Sequence, residues 1–327
     1  MSRLVGRVAL LRLIVGLLAI GFTGCRRDEK KIVGVVPKGA NHIFWQTVHA
    51  GAIKAGAEYG FQIEWNAPTL EIDSSRQIEI VESMVNRHLA GIVLAPVDKQ
   101  ALVAVVERAA REGIPVAIFD SGVDTSKVLS YVATDNLEAG RMAARRMGGI
   151  LGGKGKVGIV GFMPGSASTM DRERGFQEEL KKVAPEIQIV ALQFGMADRA
   201  KSMAVTENML SAHPDLAGVF ADNESSTAGA LQALRSRKAR NVKLVAFDPS
   251  EAFLSAIRDG GIDSIVSQNP FKMGYESTRT IGMKLRGETP RRLLDSGATL
   301  IHKGNLDQDE VKQLLFPDIQ KYLQAGK

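Results

Sequence analysis

The stretch Lys31–Trp45, KIVGVVPKGANHIFW, decides how the rest of the chain is read. Ile32 to Val36 is a short, mostly β-branched apolar run of the kind that fills a buried parallel strand. It breaks at Pro37 and Gly39 and opens into Lys38-Gly39-Ala40-Asn41-His42-Ile43-Phe44-Trp45, with a helical pattern starting at about Gln46. In an open α/β sheet, ligands sit in the crevice outside the carboxyl ends of the strands. This loop carries a cation, an amide, an imidazole and two large rings to such an end. It reads as the first wall of a binding cleft.

Outward from it, short β-rich runs alternate with segments of helical period, the pattern of parallel sheets with crossover helices. The expected strands are Ile32–Val36, Phe61–Trp65, Gly91–Ala95, Val116–Phe119, Val128–Ala133, Lys156–Gly161, Ile187–Gln193, Ala217–Ala221, Lys243–Phe247 and Ser264–Ser267. Helical patterns fall between them, as at Ser74–Arg87, Lys99–Arg111, Leu137–Met147, Arg172–Lys182, Arg199–Ser211 and Ser226–Ser236. About ten strands exceed what one doubly wound sheet usually holds, so two sheets and two lobes are expected. The seam falls near Thr134-Asp135-Asn136, where a strand runs into helix-capping residues.

The totals agree. At 327 residues the chain has room for two lobes, and 45% apolar with 24% charged residues is the balance of a globular protein. The net charge of +6 includes Arg3, Arg7 and Arg12 of a segment expected to be removed, and no Lys/Arg run marks a nucleic-acid track. A single cysteine excludes an internal disulfide.

Met1–Arg12 holds those three arginines and no acid, and Leu13–Phe22 is almost unbroken apolar sequence. Thr23-Gly24-Cys25 and a charged run follow. A basic start, an apolar core of about ten residues and small residues before a break describe an export signal. The apolar run is short for a spanning helix, which needs about 20 residues. The junction looks like a bacterial lipobox, with Phe22 where leucine is usual and Cys25 as the acylated first residue of the mature chain. Residues 1–24 are then the signal peptide and 25–30 a linker, and the body is extracytoplasmic, tied to a membrane through Cys25.

The residues just past the strands share one chemistry: Lys38 to Trp45, Asp120-Ser121, the loop Pro164–Arg172, Asp222-Asn223-Glu224, Asp248 and Gln268-Asn269. A carboxylate, amide or guanidinium recurs at nearly every carboxyl end, and Phe119-Asp120 and Phe247-Asp248 repeat one design. A buried polyol needs such groups, because each hydroxyl both donates and accepts. Its ring carbons need flat apolar faces. Each residue alone has a plainer alternative: a helix cap for Asp120 or Asp248, core packing for Phe44 or Trp45, a solvated charge run for Arg172. His42 has a satisfied loop role as its alternative, and Gln268 a turn. His49, His88, His213 and His302 are scattered and carry no assigned role.

Gly148–Gly155 has the look of a phosphate loop but ends in Gly where Ser or Thr should hold magnesium, and it follows a helix instead of a strand. No nucleophile-elbow motif and no Cys/His spacing for a metal is present. The expectation is a binding protein, with no catalytic residue, metal or cofactor.

Taken in order, several motifs resemble the periplasmic sugar-binding proteins of the ribose-binding type, the type I fold shared with the ligand domain of LacI-like repressors. They are His42-x-Phe44-Trp45, Gly113-Ile114-Pro115-Val116 leading to Asp120, Thr134-Asp135-Asn136 and Arg172-Glu173-Arg174-Gly175-Phe176. Ala212-His213-Pro214-Asp215 leading to Asn223, then Phe247-Asp248 and Gln268-Asn269-Pro270, complete the set. The resemblance implies two doubly wound parallel-sheet α/β lobes joined by a three-segment hinge near Thr134, Gln268 and Thr299. Residues 31–134 with 270–299 would form one lobe, and 135–269 with 300–327 the other. It implies that Phe44 and Trp45 sandwich a sugar ring while Asp120, Arg172, Asn223, Asp248 and Gln268 hold its hydroxyls. Lys38, His42 and Ser121 join the expected ligand-binding set. Ser121 stands where the ribose proteins have a second arginine, and Ala197 where they have an aromatic. The function it implies is the monomeric substrate-binding component of an ABC-type importer, partnered by permease subunits. The alternative is a receptor for a nucleoside or furanose signal.

Overall fold

The computed structural model describes residues 30–40 and 42–324. The expected export segment 1–24, Cys25 and the linker up to residue 29 lie outside the described residues. In the first lobe, β1 (Ile32–Val36), β2 (Gln62–Trp65), β3 (Gly91–Leu94), β4 (Val116–Phe119), β5 (Ser130–Ala133) and β11 (Leu293–Asp295) form one parallel sheet. Its order is β11-β5-β4-β3-β1-β2. In the second lobe, β6 (Lys154–Gly161), β7 (Glu186–Phe194), β8 (Leu216–Ala221), β9 (Lys243–Phe247), β10 (Ser264–Gln268) and β12 (Ala298–His302) follow the order β12-β10-β9-β8-β6-β7. All are parallel except β12, which runs antiparallel to β10.

Central strands such as β3 and β4 are buried at every residue, so their sequences are continuous apolar runs. Helices cover both faces. In the first lobe α1 (Ile43–Tyr59) and α9 (Pro270–Leu285) pack with Val33, Val35, Val93 and Phe119 on one face. Helices α2 (Ser74–Asn86) and α3 (Val103–Arg111) close over Val36, Ile92, Leu94 and Ile118 on the other. The second lobe repeats the plan. There α4 (Asn136–Ile150) and α5 (Ala167–Val183) lie against Ile159, Phe220, Phe247 and Val266. Opposite them, α6 (Arg199–Ala212), α7 (Glu224–Ser236) and α8 (Glu251–Asp259) cover Val219, Leu244 and Ile265. Two strands were not expected from the sequence: β11 has three residues with Leu293 exposed, and β12 is a partly exposed edge. Neither makes an apolar run.

The chain passes from the first sheet to α4 at Thr134–Asp135, and from β10 back to α9 at Gln268–Asn269. The third passage, from β11 to β12, falls at Ser296–Gly297, slightly before the expected Thr299. Ala298 and Thr299 already pair with Gln268 and Ser267 in the second sheet. The tail also departs from its expected place. Helix α10 (Asp309–Leu315) belongs to the second lobe, where Val311 joins the core beside Leu254. Helix α11 (Gln320–Leu323) instead rests on α1, with the Tyr322 ring centroid 5.4 Å from that of Phe271. No helix among the described residues is long and apolar enough to cross a membrane.

Glycine sets the closest helix contacts. A Cβ on Gly274 of α9 would lie 2.0 Å from the carbonyl oxygen of Val48, and one on Gly51 of α1 would lie 2.2 Å from that of Phe271. The second lobe mirrors this: a Cβ on Gly140 of α4 would lie 2.1 Å from Arg172 O, and one on Gly175 of α5 would lie 2.1 Å from Leu137 O. The α4–α5 contact therefore places the turn that carries Arg172. Alanine gains about 1 kcal/mol of helix propensity over glycine, but backbone carbonyls cannot rotate aside, and overpacking of this kind costs about 1–3 kcal/mol. Gly175→Ala and Gly274→Ala should therefore each lower stability in guanidinium melts. Unchanged midpoints would show that the helices are not held this closely.

Candidate functional site

The carboxyl ends of the two sheets face each other across a cavity of about 570 Å³. The first lobe lines it with Lys38, His42, Phe44, Trp45, Glu71 and Asp120. The second supplies Phe162, Ser168, Thr169, Arg172, Ala197, Asp198, Arg199, Asn223, Glu224 and Asp248, with Gln268 at the crossing.

Asp120 and Asp248 hold equivalent places, each directly after a strand that ends in a fully buried Phe119 or Phe247. Both are left-handed, with φ of 59° and 60°. A short polar side chain makes Asp one of the few residues to tolerate that conformation, and such outliers cluster at ligand sites. Neither is a helix cap: the residue capping α8 is Ser250, and no helix follows Asp120 until α4. Burial pushes the Asp248 carboxyl above the usual range, opposed by Arg172 and by the 2.8 Å hydrogen bond that Gln268 Nε2 donates to Oδ1.

Arg172 is buried, whereas its neighbours Asp171 and Arg174 pair with each other at the surface, 2.8 Å apart. Its Nε donates to Asn136 Oδ1 at 2.8 Å and its Nη1 to the Asp222 carbonyl at 2.9 Å, while Cζ lies 4.5 Å from the Phe247 ring centroid. Its guanidinium is thus fixed before any ligand arrives.

Lys38 is 4% exposed, and its ammonium touches both lobes. Nζ lies 2.9 Å from Asp120 Oδ2 and donates to Ser121 Oγ at 2.6 Å, to Ser166 Oγ at 3.2 Å and to Ser168 Oγ at 3.3 Å. Ser121 was expected to meet the ligand. It is instead fully buried, outside the cavity lining, with its Oγ engaged by Lys38 and by Ser168 at 2.6 Å.

His42 combines two roles. Its Nδ1 accepts from the Phe44 N–H at 3.0 Å and so caps α1, while Nε2 faces Glu224 Oε2 across the cleft at 3.5 Å. An accepting Nδ1 puts the ring proton on Nε2, toward the carboxylate. Burial disfavours the charged ring, but Glu224 outweighs it and the His42 pKa rises. Asn223 also caps a helix, accepting from the Ser226 N–H at 3.0 Å.

Phe44 and Trp45, expected to sandwich a sugar ring, do not present two parallel faces for one. Phe44 and Trp45 lie edge to face, 4.8 Å apart at 87°, so they make a corner of the cavity. Trp45 is largely core: it is 4% exposed, packs edge-on against Phe119 and donates Nε1–H to Glu71 Oε1 at 2.7 Å. Phe162 contributes a ring from the opposite lobe.

Glu71, Phe162, Asp198 and Arg199 were not among the expected site residues. Glu71 follows β2 and Asp198-Arg199 follow β7, so inspecting the residues past the two outermost strands would have found them. Glu224 was read among the polar residues past β8 but was not assigned to the ligand; it lines the cavity beside Asn223.

Beneath Arg172 lie two buried acids. Asp222 Oδ2 accepts from the Phe162 N–H at 3.1 Å, while Asp222 Oδ1 and Glu173 Oε1 have no hydrogen-bond partner among the described residues. Burial, then the neighbouring Asp222, pushes the Glu173 carboxyl up to about 9. A proton held by Glu173 would serve both orphan oxygens. No group of three or more His, Cys, Asp or Glu that could hold a metal occurs among the described residues.

A model of the periplasmic binding protein domain matches residues 33–289 of this chain. The chain is 29% identical to the ribose import binding protein of Bacillus subtilis over 264 residues, covering 81% of this chain and 85% of that one. It is 30% identical to the D-ribose/D-allose-binding protein of Pseudomonas aeruginosa over 276 residues, covering 82% and 86%. Among solved structures, a carbohydrate transporter solute-binding protein from Agrobacterium radiobacter in complex with D-arabinose superposes with a TM-score of 0.86 at 29% identity, covering 88% of this chain and 100% of that one. An ABC transporter solute-binding protein from Agrobacterium vitis with bound D-fucose gives 0.84 at 31% identity, covering 87% and 100%.

The buried acid pair has a measurable consequence. Because the folded-state pKa of Glu173 is raised, its contribution to stability is complete below the unfolded value near 4.5 and is lost as pH climbs toward about 9. The melting temperature should fall over that interval. Glu173→Gln, which keeps a donor and cannot ionise, should flatten the fall and melt higher than the parent at pH 9. Parallel curves for the two proteins would remove Glu173 as the titrating group.

Proposed function

The chain belongs to the periplasmic binding protein family, and we propose that it captures a monosaccharide between its two lobes and presents the closed form to an ATP-driven permease. The observation that carries this is the convergence of Asp120, Arg172, Asn223, Asp248 and Gln268 from two facing sheets on one cavity, beside the rings of Phe44, Trp45 and Phe162. Carboxylates and amides accept from sugar hydroxyls, the guanidinium donates to them, and the rings cover the ring carbons. The sugars named for the relatives and structural neighbours are pentoses and hexoses, which supports that ligand class.

No bond is made or broken in this mechanism. A ligand touched by both lobes stabilises the closed arrangement by the free energy of those contacts, so affinity and conformational signal are one quantity. One covered ring and several charge-assisted hydrogen bonds are consistent with a Kd on the order of micromolar, about −8 kcal/mol. The body would work outside the cytoplasm as a monomer, held to the membrane by a lipid on Cys25. Cys25→Ala should move the protein from the membrane to the soluble extracytoplasmic fraction, and an unchanged distribution would refute the lipid anchor.

A thermal-shift screen of the mature protein against pentoses, hexoses, alditols and nucleosides tests the ligand class. A sugar at 100 times its Kd should add about 2.7 kcal/mol of stability. A shift with nucleosides alone would overturn the sugar assignment. Arg172→Ala and Asp248→Ala should abolish the shift while keeping a cooperative melt without ligand. Unchanged binding in both would remove them from the site.

A further inference from the structure

The polar groups of the cleft are unevenly committed. The ammonium of Lys38 has three protons and four oxygens within reach. Arg172 spends Nε on Asn136 and Nη1 on the Asp222 carbonyl. Arg199 and His42 both turn to Glu224. Acceptors, by contrast, are left over. Gln268 Oε1 is buried with no partner among the described residues, and Asp248 Oδ2 has Arg172 no nearer than 3.9 Å.

Glu71 adds to this surplus. It reaches the cavity from the loop after β2, and its Oε1 accepts from the Trp45 indole, which leaves Oε2 without a donor among the described residues. A Cβ on Gly39 would lie 2.6 Å from Glu71 Cγ, so the glycine in the first loop makes the space this side chain occupies. Burial pushes the carboxyl above the usual range, opposed by the Trp45 hydrogen bond and by His42 and Lys38. A fixed carboxyl with a spare oxygen suits a ligand that donates and repels one that brings its own carboxylate.

We propose that Glu71 is a specificity-determining residue of the cleft, accepting a hydrogen bond from a ligand hydroxyl and so selecting neutral sugars against acidic ones. This deepens the sugar-binding reading and rests on it. The cavity already holds the carboxyls of Glu71, Asp120 and Asp248, so a uronic acid would add a further anion beside them. There the lysine is already saturated, and Arg172, with two of its five N–H donors spent, is the one buried cation left to meet it among the described residues.

Titration calorimetry tests this with the neutral sugar found by the thermal screen and the uronic acid of the same sugar, on the parent protein and Glu71→Gln. The amide keeps an oxygen for the Trp45 indole, so unaltered Trp45 emission in a Trp65→Phe background shows that the ring is still anchored. The parent should bind the neutral sugar about 100-fold more tightly than the uronic acid. Glu71→Gln should weaken the neutral sugar about 10-fold and narrow the ratio between the two by a similar factor. Both ligands binding Glu71→Gln within twofold of the parent would reduce Glu71 to an anchor for Trp45. Equal affinity of the parent for both would overturn the proposal without any variant, leaving the sugar reading intact. Binding of no sugar at all by the parent would bring down the sugar reading, and this proposal with it.

Discussion

A buried ammonium constrains this molecule more than any other single group. An unpaired cation in a protein interior costs several kcal/mol, and Lys38 escapes that cost only through partners from both lobes. Asp120 and Ser121 come from the first, Ser166 and Ser168 from the second. The full set exists only when the sheets face each other closely. Other cross-lobe contacts act in the same sense. The Lys99 N–H donates to Gly165 O at 3.0 Å, and Val97 packs with Phe162 and Met163. The facing of the lobes is therefore written partly in the protein's own polar groups, and a ligand adds to a geometry those groups already favour.

The rest is a repeated solution to one problem, that of bringing charged tips to a dry crevice. Each lobe ends a central strand in Phe-Asp, uses the ring as a buried footing and turns the acid inward through a left-handed backbone. Each lobe also pins a helix pair by glycine against carbonyl. In the second lobe that contact involves the residue whose guanidinium enters the cavity, so helix packing and ligand chemistry meet at Arg172.

How much of this the sequence revealed depended on strand burial. All ten expected runs became strands; the central ones are apolar throughout because both of their faces are covered, while the edge strands β2 and β7 are partly exposed and show only through their β-rich composition. The strands that escaped notice, β11 and β12, are the short edges added by the last crossing, one of three residues and the other with a single buried residue, so neither leaves an apolar run to read. The same distinction governed the cleft. Residues past the central strands stood out, as at Asp120 and Asp248, whereas Glu71 and Asp198-Arg199 follow the outermost strands. The roles of Ser121 and of the Phe44–Trp45 corner depend on side-chain directions that no spacing encodes. Ser121 faces the lysine, and the indole is turned by its bond to Glu71.

The tail has a further consequence for the range of motion. Helices α10 and α11 sit on opposite lobes, with Leu315 ending one and Gln320 beginning the other. Five peptide steps at full stretch reach about 17 Å. The gap between those two footholds cannot widen past that contour length while Tyr322 keeps its seat beside Phe271. The carboxyl-terminal segment, which runs past His42, Phe44 and Gln268, thus acts as a leash between the lobes, setting how far the jaws can gape.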